Sequence, residues 1–344
     1  MSNFKVNTIT NRDGSYGPQI CGITTFGGSG LQLPSGPTEM RGGRGRGIFG
    51  SGATPSSTTV IDKIEIATSG DAVDFGDDIH AREEGNAAFS SATRGCFAGG
   101  LSSPATTSNI SYVTIPSGGG ANDFGDLSSA RQSNAGASNN VRGLSFGGSP
   151  SPSGSATNTI QYVTIASTGD ANEFGSLTER VFNTGSGVSN GTRAFQMSGN
   201  SIEVGDDSRK IHVVTIATTG DAVKFGELIT ARNAHAGCSN STRGLVFCGQ
   251  EAPGGGNLNS IEYFELASEG NGVDFGDASA SKDYLGAVAS STRAIIGGGQ
   301  TPSKQNVMET VAISTTGDTV DFGDLTNKRR FLQGISDVHG GLTQ

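Results

Sequence analysis

Tryptophan is absent from the 344 residues, and only five tyrosines are present. A platform for stacking sugars, which usually wants Trp or Tyr, is therefore poorly supplied. The four cysteines, Cys21, Cys96, Cys238 and Cys248, show no metal-ligand spacing. Cys238 and Cys248 fall on neighbouring expected strands and could face each other, but they read best as small apolar fillers in a protein assembled in reducing cytoplasm. No run approaches the roughly 20 apolar residues of a membrane span. Lys5 is the only basic residue before Arg12 and no apolar stretch follows, so the opening does not read as a signal peptide. Charged residues make up 16%, the net charge is −9, and no basic tract exists, which argues against nucleic-acid binding. The local exception, RGGRGRG at 41–47, contains Arg46, whose position recurs along the chain.

Glycine, at 55 residues, is abundant instead. Such a composition suggests disorder unless apolar residues are regularly placed, and here they are. A Phe-Gly pair returns at Phe75, Phe124, Phe174, Phe225, Phe275 and Phe322, 47 to 51 residues apart, a period typical of propellers and arrays. Each unit has a polar-basic step (SSAR, ITAR, NKRR) and a Gly/Ala/Ser-rich segment (NAGAS, TGSGVS, AHAGCS). A turn with a recurrent arginine follows, at Arg46, Arg94, Arg142, Arg193, Arg243 and Arg293, and then a short apolar run such as GLVFCG. After a connection of variable length comes an alternating strand: IDKIEIA, ISYVTIP, IQYVTIA, IHVVTIA, IEYFELA or METVAIS. A Gly-Asp turn such as TTGDAVKFGE ends the unit.

Four short strands in about 50 residues are the content of a propeller blade. The small-residue segment suits an innermost strand at a crowded channel. The first unit lacks that strand, whereas LTNKRRFLQGISD at 325–337 supplies one with nothing after it. The expected fold class is therefore all-β: a six-bladed propeller over 42–344, closed by the C-terminal strand, with an extended N-terminal arm over 1–41. The units resemble the kelch repeat over roughly residues 42 to 338. Gly147-Gly148 and Gly297-Gly298 follow the apolar strand and Tyr112, Tyr162 and Tyr263 lie in the third, while Phe stands in all six units where kelch repeats usually carry Trp. That departure makes the likeness a variant, and it implies fold more than function.

Chemistry is hard to find. His80, His212, His235 and His339 never share a repeat position, and Ser279 to Lys282 matches a Ser-x-x-Lys pattern only where other units read SSAR or ITAR. Asp71, Asp170, Asp221 and Asp318 precede the Phe by four residues, with Gly120 and Asn271 in the other units. Calcium could use such carboxylates, but Gly and Asn are what a turn tolerates. The six arginines form a candidate anion-binding ring, or pair with Asp77, Asp126, Glu227, Asp277 or Asp324 to fix one blade to the next; the structural reading is preferred. The sialidase-type Ser-x-Asp-x-Gly-x-x-Trp box and a Tyr/His/Cys copper set are both missing. No catalytic, metal or cofactor residue is assigned, and no enzyme activity is expected.

Specificity is expected where the repeat varies, in the connections between second and third strands, on the face opposite the constant turns. The candidate recognition residues are Asp206, Asp207, Arg209, Lys210, Gln250, Glu251 and Lys304. The leader, FKVNTITNRDGSYGP and the residues to 40, resembles N-terminal leaders of structural proteins from tailed bacteriophages, particularly marine and cyanobacterial ones. With Phe4, Val6 and Ile9 alternating, it reads as an anchor that orders by adding strands to a partner. The expectation is a non-enzymatic virion structural protein of tail, neck or capsid, assembled in the host cytoplasm. Its partners would be other virion proteins, host surface contact and homo-oligomerisation being compatible with it. The alternatives are an adhesin whose loops bind host glycan or protein, and a bacterial kelch-like protein or enzyme.

Overall fold

The computed structural model describes residues 24–25, 31–32, 45–150, 155–182, 185, 187–203, 206–251 and 255–342, the first two pairs and 206–208 by their backbone alone. The anchor candidates Phe4, Val6 and Ile9, together with Cys21, lie outside the described residues. Of the leader, Thr24–Thr25 pairs antiparallel with Leu31–Gln32.

From residue 46 on the structure is an all-β, propeller-like ring of sheets. The first sheet combines β1 (Arg46–Gly50), β2 (Thr58–Glu65) and β3 (Val73–Arg82) with β24 (Gln333–Ser336) from the other chain end. β24 pairs antiparallel with β1 from Gly47↔Ser336 to Gly50↔Gln333. The second sheet holds β4 (Ala87–Ser90), β5 (Arg94–Ala98), β6 (Asn109–Thr114) and β7 (Asn122–Asp126). Next come β8 (Ala135–Ser138), β9 (Arg142–Phe146), β10 (Thr157–Thr164), β11 (Asn172–Phe182), β12 (Val188–Ser189), β13 (Arg193–Ser201), β14 (Asp206–Thr215) and β15 (Val223–Glu227). Two further sheets contain β16 (Ala236–Ser239), β17 (Arg243–Phe247), β18 (Ser260–Glu265) and β19 (Val273–Asp277), then β20 (Gly286–Ala289), β21 (Arg293–Gly297), β22 (Val307–Ala312) and β23 (Val320–Asp324).

Six separate blades were expected; four separate four-stranded sheets are found, and β8 to β15 form one eight-stranded sheet. The cause is local. β11 runs on to Phe182 and β13 to Ser201, and their ends pair, Val181↔Ser201 and Phe182↔Asn200. The ring is likewise not closed as one hydrogen-bonded cylinder, because the other sheets stay distinct and meet their neighbours through turns and side chains.

The core lies between sheets. Residues such as Ile48, Ile61, Phe97, Val113 and Ile335 form one buried cluster joining the first two sheets, and five similar clusters follow. The recurrent Phe is buried each time, from Phe75 to Phe322. Tyr112, Tyr162 and Tyr263 meet it edge-on at centroid distances of 5.9–6.0 Å, a geometry favoured by the ring quadrupoles.

A second buried layer is polar. The second residue of each third strand, Asp62, Ser111, Gln161, His212, Glu262 and Glu309, is buried. Opposite it sits the cation of the polar-basic step: Arg329 with Asp62, Arg232 with Glu262 and Lys282 with Glu309. Arg82 reaches Ser111 and lies 3.7 Å from Asp78. Arg131 faces no carboxylate, and burial pulls its pKa down to about 10. In the unit containing His212 the corresponding arginine, Arg180, turns outward to Glu203 at 2.7 Å. The buried position there is a neutral imidazole bonded to Gln196 and Thr178, its pKa lowered by burial to about 4. At this strand position buried acids thus occur where a buried cation faces them, as the cost of unpaired buried charge requires. Lys282 is held by Glu309, which also accepts the Ser279 N–H, so the Ser-x-x-Lys pattern has no free base.

Candidate functional site

The recurrent arginines fasten one unit to the next. Each Nη1 donates to two successive carbonyls at the end of the neighbouring unit's third strand: Arg46 to Ile115 and Pro116, Arg94 to Ile165 and Ala166, Arg142 to Ile216 and Ala217. Arg193, Arg243 and Arg293 repeat this toward Leu266, Ile313 and Ile66. Arg94, Arg142 and Arg243 also lie 4.5–4.6 Å over Tyr112, Tyr162 and Tyr263. Tethering was expected, but the acids named for it are not the partners: Arg46 and Arg243 bridge Glu65 and Glu265, while Glu227 serves Arg209 and Lys224.

The Gly-Asp turns do the same at the outer edge. Asp170 accepts from the Asp126 N–H, Asp221 from Ser176, Asn271 from Glu227, Asp318 from Asp277 and Asp71 from Asp324, at 2.8–3.0 Å. Close approach is what demands glycine in the Phe-Gly pair: a Cβ on Gly76 would lie 2.7 Å from the Gly119 carbonyl carbon of the next turn. Asn271 shows that the bond, not the charge, is what matters. Asp221→Asn is therefore expected to leave stability unchanged, while Asp221→Ala costs about 1 kcal/mol in urea unfolding. Equal losses in both variants would revive a carboxylate-metal reading.

The inner strands β4, β8, β12, β16, β20 and β24 face a central channel. Each serine hydroxyl on them donates to the preceding strand: Ser138 to Ser90 O, Ser189 to Ser138 O, Ser239 to Ser189 O, Ser336 to Ala289 O and Ser90 to Ser336 O, at 2.6–2.8 Å. Ala289 holds the sixth position and leaves a gap before Ser239. Ala289→Ser is expected to raise stability by about 1 kcal/mol, read as a higher unfolding midpoint; an unchanged midpoint would mean that the hydroxyl finds no acceptor there.

The residues after β24 plug this mouth. A short 3-10 turn, Gly340–Leu342, follows the strand, and a Cβ on Gly340 or Gly341 would overlap carbonyls of Asn240 and Ser138. Between strand and turn, His339 places its Nε2 3.1 Å from Ser90 O, and its Nδ1 accepts the Gly341 N–H. Burial lowers its pKa to about 4, so the plug stays neutral and seated.

The opposite mouth is lined by Gly85, Ser133, Gly185, Ala234, His235, Tyr284, Leu285, Phe331, Leu332 and Gln333. Glu84, Ser133, Ala234, Tyr284 and Phe331 occupy one repeat position, all with φ between +52° and +62°, a region costly for bulky residues. The variable connections border this mouth, through bridges Glu83↔Leu101, Gln132↔Ser149, Asp283↔Gln300 and Ala53↔Arg330. Gln250 and Glu251 pair with Asn233 and Arg232, and Lys304 pairs with Gln300 in its own hairpin. These candidates therefore share one face. Arg209 is committed to Glu227 and Lys210 to Glu179; the side chains of Asp206 and Asp207 lie outside the described residues.

Sequence reasoning missed His235, Tyr284 and Phe331, whose position at the mouth depends on the ring. Among the described residues no group of three His, Cys, Asp or Glu is placed to hold a metal, and Cys96, Cys238 and Cys248 are free, buried thiols. Burial raises all three thiol pKa values, that of Cys248 to about 12. No helix among the described residues is long and apolar enough to cross a membrane. Compared with known proteins, the chain matches no family model and no curated protein.

Proposed function

We propose that this chain is a non-enzymatic structural protein of a bacteriophage virion, in which a six-bladed, kelch-like propeller is displayed by an anchor within residues 1–41. The six-blade reading draws support from the eight-stranded sheet, which contains two four-strand arrays, β8 to β11 and β12 to β15. Closure draws support from the serine chain, which returns from Ser336 to Ser90. One observation carries the structural role: the recurrent polar groups, arginine, Asx and serine, are spent on joining neighbouring units. A disc so tied is rigid and leaves no repeated group for chemistry. The virion assignment rests on the leader and its likeness to phage structural proteins.

Immunoelectron microscopy and mass spectrometry of purified particles, with an antibody against residues 44–338, test it. Label at a discrete particle location is the expected result. Protein found only free in cell extract would overturn it. An adhesin role is favoured by one specific observation, the gathering of the variable connections around a single mouth.

A further inference from the structure

The residues that follow β24 reach across the channel. β24 itself belongs to the first sheet, but His339 meets Ser90 of β4 and Ser138 of β8. Gly340 and Gly341 lie against the carbonyls of Asn240, Ser189 and Ser138. Between the inner strands His339 lines a cavity of about 50 Å³, room for a few waters. The hydrogen bonds fix its proton. Ser90 O, 3.1 Å from Nε2, can only accept, and the Gly341 N–H, 3.1 Å from Nδ1, can only donate. The imidazole therefore carries its hydrogen on Nε2 and leaves Nδ1 bare. A second proton has one place to go, and there it meets the Gly341 N–H head-on.

We infer that this C-terminal turn is an acid-released latch on the channel: protonation of His339 at Nδ1 breaks its bond to Gly341 and lifts residues 339–342 from the mouth. The inference is independent of the virion reading. No carboxylate stands by to hold an imidazolium in place. The inner strands β4, β8, β12, β16, β20 and β24 contain one titratable side chain, Cys238, whose pKa burial raises. The turns from β4, β8, β12, β16 and β20 to the recurrent arginines carry no charge. Those arginines extend away, Arg94, Arg142, Arg193 and Arg243 to the third strands of neighbouring units. Asp337, after β24, accepts the Arg46 N–H at 2.8 Å. Burial lowers the His339 pKa to about 4, the Ser90 carbonyl opposing, whereas a released histidine titrates near 6.5. The lifted segment thus binds a proton that the seated one does not. Seating weakens as pH falls below about 6.5, and the loss levels off near pH 4. The proton need not enter the closed site, since it is taken up whenever the segment lifts. The other buried histidines stand apart: His212 bonds to Gln196 and Thr178, and His235 lines the opposite mouth.

The test is amide hydrogen exchange of the full chain, read by NMR at Gly341 and Leu342 and corrected for the intrinsic pH dependence of exchange. Protection there is expected to fall about tenfold per pH unit below about pH 6.5, close to a hundredfold by about pH 4.5, while the amides of β17 stay protected. His339→Asn, whose side-chain oxygen can accept from Gly341 and takes up no proton, should give a flat profile. A flat profile in the unsubstituted protein, an equal decline in His339→Asn, or a parallel loss across β17, the sign of global acid unfolding, would overturn the latch. Should the variant fail to seat at neutral pH, the His339 nitrogen shifts of the unsubstituted protein decide. Nδ1 bare at neutral pH and protonated in step with the loss of protection is the expected result. A hydrogen on Nδ1 at neutral pH, or protonation without loss of protection, would overturn it.

Discussion

Arg329→Ala is expected to destabilise the protein by about 3–5 kcal/mol, the usual cost of removing one member of a buried ion pair. The Arg329 side chain is fully buried, donating to Val60 O at 2.6 Å, Phe49 O at 3.2 Å and Asp62 at 2.8 Å. It belongs to the last unit and its partners to the first, so its loss leaves Asp62 charged, buried and short of a partner just where the two chain ends meet. Burial lowers the Arg329 pKa, and the neighbouring Asp62 offsets part of that. Arg329→Lys should be intermediate, since an ammonium keeps the charge and loses the fork. The double variant Arg329→Met, Asp62→Leu should recover much of the loss. Urea unfolding followed by circular dichroism measures all three against the unsubstituted protein; a shift below about 1 kcal/mol for Arg329→Ala would mean that the site relaxes around the lost partner at little cost.

Gly334→Ala is expected to be comparably severe through sterics alone. Its new methyl would overlap the Ala287 carbonyl, with the Ala287 carbonyl carbon at 2.6 Å and Val288 Cγ1 at 2.8 Å. Overpacking typically costs about 1–3 kcal/mol and more when the obstacle is backbone. Gly136 meets Ala88 in the same way, so the crowding belongs to the inner ring. The expected phenotype of Gly334→Ala is an unseated β24, seen as rapid proteolysis near the C-terminus and a lower unfolding midpoint. Gly220→Ala is the control, because nothing lies within 4 Å of a Cβ there. Equal behaviour of the two variants would show that the inner strands have room to relax.

Periodicity made the strands and their order legible, because a half-buried strand must alternate and a blade must reverse at Gly-Asp turns. The recurrent Phe, the small inner segment and the pairing of 333–336 with β1 all follow from such local rules. The ion-pair layer left a trace, a polar second residue in IDKIEIA or IEYFELA, but its partner cation lies some 30 residues away or, for Asp62 and Arg329, at the opposite chain end. Nothing short of the folded ring pairs them.

The amino-acid sequence by itself determined strand identity, unit length and which residues recur, since these depend on side-chain period and turn chemistry within one unit. Only the tertiary structure decided that the arginines reach the next unit through its carbonyls and not through the acids that follow the recurrent Phe, that β11 and β13 fuse two units into one sheet, that the residues after β24 plug one mouth, and that His235 stands unpaired at the other. These are relations between units, set by how closely neighbouring backbones approach, and a repeat written along one chain carries no measure of that distance.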